Sequence, residues 1–270
     1  MKTRILANLA LAAGLVLWPS QVVAAEHPWD KAEALLQTVS QDFQSSGFEG
    51  LKPHTAEMEQ ALAEAGPAVI PDAKPGGPVY VLTDGQMDVI TAMAAIGAMT
   101  GKDPALKDRE VVAVNNPYPA LALALGSYYN EIGRFDEAVR VLGKGMTLYA
   151  VPDLGMGMHM PLIATEHALA LARLGKLAEA LAAYDDALSL AAAEDMDKAR
   201  MQRGRGYVLT EMGKLDEAQA AYEESLKLEP GNKIALNELE YIKQLRAGGE
   251  KAPTEIVAPG SKPVEKPPEK

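Results

Sequence analysis

The sequence predicts a mainly α protein built as an array of stacked helix hairpins. Three observations carry that prediction. A short Gly-basic-apolar-acidic-Ala pattern occurs three times in the second half of the chain. Apolar residues there recur at helical spacing. The chain of 270 residues has 48% hydrophobic but only 5% aromatic residues, so its core must rest on Ala, Leu, Val and Met. No cysteine is present, which excludes disulfides, thiolate metal sites and thiol nucleophiles. The net charge of −11 argues against a nucleic-acid partner.

In chain order, residues 1–25 read as an export signal. Lys2 and Arg4 precede the apolar run Ile5 to Trp18, and Val22-Val23-Ala24-Ala25 offers small residues for cleavage near Ala24 or Ala25. Pro19-Ser20-Gln21 interrupts the run before it reaches the ~20 residues of a membrane span. The expectation is a periplasmic protein with no integral membrane segment after cleavage. Residues 248–270 are rich in Pro, Lys and Glu, and are expected to be a disordered tail.

Residues 26–115 are expected to form a mostly helical N-terminal region. Pro28 to Phe43 and Thr55 to Ala65 read as helices, and Thr83-x-x-Gln86 reads as a capping box opening a third. That third helix carries Met87, Ile90, Met93 and Ile96, with its methionines expected to fill the core. The β-branched runs Val79 to Leu82 and Val111 to Val114 flank it. They either pair as a short ribbon or extend buried helix ends; periodicity does not decide for runs of four.

Residues 116–247 hold the repeats. Gly133-Arg134-Phe135-Asp136-Glu137-Ala138 aligns with Gly175-Lys176-Leu177-Ala178-Glu179-Ala180 and with Gly213-Lys214-Leu215-Asp216-Glu217-Ala218. Each glycine suits the left-handed end of one helix. The acids suit the first turn of the next, where the helix dipole favours them. Each alanine allows close helix approach, and Leu142, Tyr184 or Tyr222 follows four residues later to fill the seam.

This pattern resembles the tetratricopeptide repeat, W-x2-L-G-x2-Y…A-x3-F…P. Leu125-Gly126-x2-Tyr129 with Ala138-x3-Leu142 matches in the first repeat, Ala180 and Tyr184 in the second, and Gly206, Ala218, Tyr222 and Pro230 in the third. The resemblance implies a right-handed solenoid with repeats at about 119–152, 161–194 and 199–232 and a capping helix at 233–246. The extra length beyond the family's 34 residues falls between repeats, at Val151 to Met160 and Ala191 to Met196.

The resemblance also implies a concave groove lined by the first helix of each hairpin, receiving a protein or peptide. Its expected lining is Leu123, Ser127 and Asn130, then Thr165, Leu169 and Arg173, then Arg200, Arg203 and Tyr207. The last three share a helix face, and their basic character suits an acidic, partly apolar segment. His27 and His54 read as isolated and exposed, and His167 as a structural histidine on a seam.

Met156-Gly157-Met158-His159-Met160 admits two readings. Thioethers and an imidazole are soft ligands that suit Cu(I). Flexible apolar side chains also suit an inter-repeat loop packed on its neighbour, and the 12 methionines of the chain favour that reading. No nucleophile elbow, phosphate loop or zinc-helix motif occurs, and the adjacent pairs Asp185-Asp186 and Glu223-Glu224 diverge on their helices. The functional expectation is a non-catalytic interaction scaffold or adaptor of the cell envelope, without cofactor. The alternative is a periplasmic copper-handling protein.

Overall fold

The computed structural model describes residues 27–100, 109–190 and 192–249. The expected export signal and nearly all of the expected disordered tail lie outside these residues. No helix among the described residues is long and apolar enough to cross a membrane.

The repeat array forms three helix hairpins: α5 (Pro117–Glu131) with α6 (Phe135–Met146), α7 (Met160–Arg173) with α8 (Leu177–Leu188), and α9 (Asp195–Glu211) with α10 (Leu215–Leu228). A final helix, α11 (Lys233–Arg246), packs on the last hairpin. The three aligned glycines end α5, α7 and α9 at φ 79°, 74° and 75°. At each turn the residue after glycine donates back five residues, Arg134 to Tyr129, Lys176 to Leu171 and Lys214 to Leu209. A side chain at these glycines would be strained, so one backbone solution serves all three turns. Ala138, Ala180 and Ala218 are wholly buried, and Leu142, Tyr184 and Tyr222 lie against them in the seams.

The N-terminal region adds a small helical layer and a sheet. Helices α1 (Asp30–Ser46), α2 (Phe48–Leu51) and α3 (Thr55–Glu64) all pack against α5. Leu36, Val39, Leu51, Met58 and Leu62 join Leu121 and Leu125 in one core. Between this cover and the packing of α6 and α7, α5 is buried from Pro117 to Tyr129, and Tyr129 donates to Glu59 at 2.8 Å. Burial and that hydrogen bond push the Tyr129 phenol up to about 12.

Strands β1 (Val69–Pro71), β2 (Val79–Thr83) and β3 (Val111–Asn115) lie in the order β1-β2-β3. β1 runs antiparallel to β2, and β2 pairs in parallel with β3 from Val79↔Val111 to Thr83↔Asn115. The two β-branched runs therefore pair, and α4 (Gln86–Thr100) lies between them in sequence as the crossover of a parallel unit.

Three expectations change here. Thr83 does not cap α4: it is the last residue of β2 and its hydroxyl donates to Val114 O. The backbone N–H of Asp84 is instead bonded by Asp88, from inside the first turn. Met87 and Met93 are not core filler. Asp88, Ala92 and Ile96 face the sheet, while Met87, Ile90 and Met93 are 53%, 60% and 39% exposed. The sheet covers one side of α4, so a helix with apolar residues on both sides leaves Met87, Ile90 and Met93 in solvent. Finally, His54 is paired with Asp42 at 2.7 Å and His27 stacks on Trp29, so neither is isolated.

The longer inter-repeat connections have a shared use. The first forms a short 3-10 turn at Pro152–Leu154, then bends at Gly155 and reaches the sheet, where Met158 N–H donates to Asp84 O at 2.9 Å. The second returns onto the first, with Ala192 N–H donating to Gly155 O at 3.0 Å. The extra residues thus bolt the sheet to the side of the array.

Candidate functional site

The expected groove residues separate into three groups. Leu123, Ser127 and Thr165 are buried at 3%, 8% and 6% exposure, and the Thr165 hydroxyl donates to Pro161 O within its own helix. These three belong to packing: Leu123 and Ser127 lie on α5, against which α1, α2 and α3 pack, and Thr165 is buried within α7. Leu169 is half-buried on α7.

Arg203 is also a correction. It does not project into a groove beside Tyr207. Its guanidinium donates to Glu229 at 2.6 Å and to Ser225 at 3.0 Å, tying α9 to the end of α10. Helical spacing put Arg200, Arg203 and Tyr207 on one face, but the capture of Arg203 by α10 removes it from that set.

Asn130, Arg173, Arg200 and Tyr207 remain. Asn130 donates to both the backbone and the carboxylate of Glu166, at 3.1 and 2.9 Å, joining α5 to α7. Its own Oδ1 is buried without a hydrogen-bond partner. Burial raises the Glu166 carboxyl above 4.5, opposed by the Asn130 hydrogen bond and the Arg200 charge. The folded state therefore holds the Glu166 proton more tightly than the unfolded chain. That contribution to stability is present below pH 4.5 and is lost as pH rises through the folded value. Glu166→Gln is expected to stabilise the protein at pH 8, by a margin that shrinks to nothing near pH 4. Its amide also offers a donor to Asn130 Oδ1. Urea unfolding of both proteins at pH 4 and pH 8 checks this; a Gln variant weaker at pH 8 contradicts it.

Arg173 and Tyr207 form the open part of the site. The Arg173 guanidinium stands 6.0 Å from the centre of the Tyr207 ring. Together with Ala172, Leu174, Gly175, Leu177 and Glu211 they line a cavity of about 290 Å³ between the end of α7 and α9. It combines an apolar floor, an aromatic wall and charges of both signs.

A second constellation lies at the bolt between sheet and array. Asp84 is 2% exposed. It accepts from Tyr149 Oη at 2.9 Å, from His159 backbone N–H at 2.9 Å, and pairs with His159 Nδ1 at 2.6 Å. Asp88 lies beside it, and burial raises its carboxyl above the usual range. Burial, with the Asp84 charge, lifts the Tyr149 phenol well above 10. Sequence reasoning missed this cluster, since 65 and 75 residues separate Asp84 from its two partners. The five-residue methionine motif is split by the fold. Met160 is buried at 3%, Met156 is half-buried, and Met158 stands out at 46%. His167 is held below 6.5 by burial.

The tetratricopeptide repeat family profile matches residues 160–228, the second and third hairpins. Among solved structures, the first such domain of human RPAP3 is 32% identical over 48% of this chain and 94% of its own, with a TM-score of 0.42. The chain belongs to the tetratricopeptide repeat family.

The first repeat domain of Spaghetti (RPAP3), solved with an HSP90 peptide, is also 32% identical, over 50% of this chain and 97% of its own, at TM-score 0.42. The second domain of human RPAP3, solved with an HSP70 peptide, is 26% identical over 46% and 98%, at TM-score 0.38. A search of curated proteins finds no match. Each of these three domains matches about half of this tetratricopeptide repeat protein.

Proposed function

We propose that this protein is an exported, non-catalytic interaction protein of the bacterial envelope that holds an acidic, partly apolar segment between α7 and α9. The observation that carries the reading is the cavity walled by Arg173 and Tyr207. Its walls are set by buried seams, with Tyr184 and Ala180 packed behind them. A partner therefore meets a surface that incurs little ordering cost. Arg173 supplies a planar donor for a carboxylate, Tyr207 an aromatic face, and Arg200 a further positive charge on the same helix as Tyr207. The N-terminal signal pattern supports export to the periplasm.

Pull-down from envelope extract, followed by anisotropy with the recovered segment, tests this. Arg173→Glu is expected to weaken binding by about 1–3 kcal/mol if the contact is desolvated. Raising the salt should weaken it further, because exposed charges are screened over about 8 Å. Binding that ignores both salt and the Arg173→Glu/Tyr207→Ala pair would remove the site from this cavity. Arg203→Glu is not a binding probe, since it breaks the α9–α10 pair and should lower stability instead.

A further inference from the structure

The cavity walled by Arg173 and Tyr207 lies at one end of the hairpins. Ala172 to Leu177 form the turn from α7 into α8, and Tyr207 and Glu211 lie on the last turns of α9. The end of α11 is held beside the next turn along. There the Arg246 guanidinium donates to Leu215 O at 3.4 Å and pairs with Asp216, the two residues that open α10. Gly248, at φ 87°, and the Gly249 N–H, which donates to Gln244 O, then terminate α11. Burial raises the Glu238 carboxyl on α11 and the Glu211 charge adds to it, so α11 borders the α9 wall of the cavity. The chain therefore leaves the array at the same end as the cavity, one helix further on.

Beyond Gly249 the sequence runs Glu250-Lys251-Ala252-Pro253-Thr254-Glu255-Ile256-Val257. Ile256-Val257 is the only adjacent pair of branched apolar residues after Gly249, and an acid directly precedes it. Helices α7, α9 and α11 are successive neighbours. At about 8–10 Å per helix spacing, Arg173 stands two spacings from the end of α11. The six residues from Gly249 to Glu255 extend to about 20 Å, which covers that span. The guanidinium that awaits them is not spent elsewhere. Arg134, Arg140, Arg203, Arg205 and Arg246 are each held in an ion pair, whereas the half-buried Arg173 is in none among the described residues.

We propose that Glu255-Ile256-Val257 of the chain's own tail occupies this cavity, so that a partner must displace it. Glu255 pairs with the Arg173 guanidinium, and Ile256 and Val257 cover the apolar floor of Ala172, Leu174 and Leu177 beside Tyr207. The proposal rests on the reading of the cavity as a site for an acidic, partly apolar segment, and names its resident source. A tether this short holds the segment at an effective concentration on the order of millimolar, so weak contacts are enough to fill the site.

The absence of cysteine allows a single spin label at Ala258→Cys to test this in the full chain by paramagnetic relaxation. Amide signals of residues 172–177 and 207–211 should broaden, while those of α1 and α3 stay sharp. Glu255→Arg, a change in the tail alone, should reduce the broadening at least threefold, as should Arg173→Glu. The swap Arg173→Glu/Glu255→Arg should restore it. Spin-labelled protein mixed with isotope-labelled, label-free protein should broaden nothing, since the contact lies within one chain. No broadening in the native background, broadening unchanged by Glu255→Arg, a swap that restores nothing, or broadening carried between molecules would overturn the proposal. A partner recovered by pull-down and lost in Arg173→Glu, without broadening, would sink the tail and leave the preceding reading standing. Broadening with no partner recovered would do the reverse.

Discussion

Tyr222→Ala is expected to lower stability by about 3–5 kcal/mol, the cost of emptying a large buried aromatic site. Tyr222 is 1% exposed in the seam between α9 and α10, packed with Leu209, Ala218 and Ile242. Its hydroxyl interacts with Thr210 and Glu238, so Tyr222→Phe should lose only about 1 kcal/mol. The ring also fills the space left by Gly206, where a Cβ would stand 2.8 Å from two ring carbons. The same alanine at Gly206 should therefore have opposite signs in two backgrounds. In the native protein it overpacks the seam and destabilises by about 1–3 kcal/mol. In Tyr222→Ala the obstruction is gone, and the better helix propensity of alanine should leave it neutral or stabilising. Denaturant unfolding of the four proteins in this cycle measures the coupling. Additive effects would show that the ring and the glycine do not share one space.

Asp84→Ala should cost about as much, about 3–5 kcal/mol, by a different route. Three donors converge on that carboxylate, and the alanine leaves the Tyr149 hydroxyl and two His159 N–H groups without an acceptor in a buried place. The loss should be local. Hydrogen exchange should quicken in β2, β3 and residues 149–160, while α10 and α11 stay protected. Asp84→Asn keeps one oxygen acceptor and the side-chain shape, so it should fall between alanine and the native residue. A loss below about 1 kcal/mol for Asp84→Ala, or exchange that quickens uniformly, would mean that the sheet is not held by this contact.

Local rules were enough for the hairpins. Gly133, Gly175 and Gly213 need a left-handed turn, the acids after them suit a helix start, and Ala138, Ala180 and Ala218 suit a close seam. All of these act within one hairpin, so the residue pattern carries them. The same reading failed where an element's environment came from far away. Leu123 and Ser127 looked like groove residues until α1, α2 and α3 were laid over α5. Arg203 looked available until Glu229, 26 residues later, was brought within 2.6 Å of it.

The sequence by itself determined the repeat register, the turns and the helical seams, because those depend on neighbours a few residues apart. Only the tertiary structure decided which polar side chains are spent on packing and which still face solvent. Asp84, Tyr149 and His159 show the reason: each is unremarkable within its own segment, and their shared chemistry exists only once β2 and the first inter-repeat connection are pressed together. Hydrogen bonds act over about 3 Å, whatever the distance along the chain.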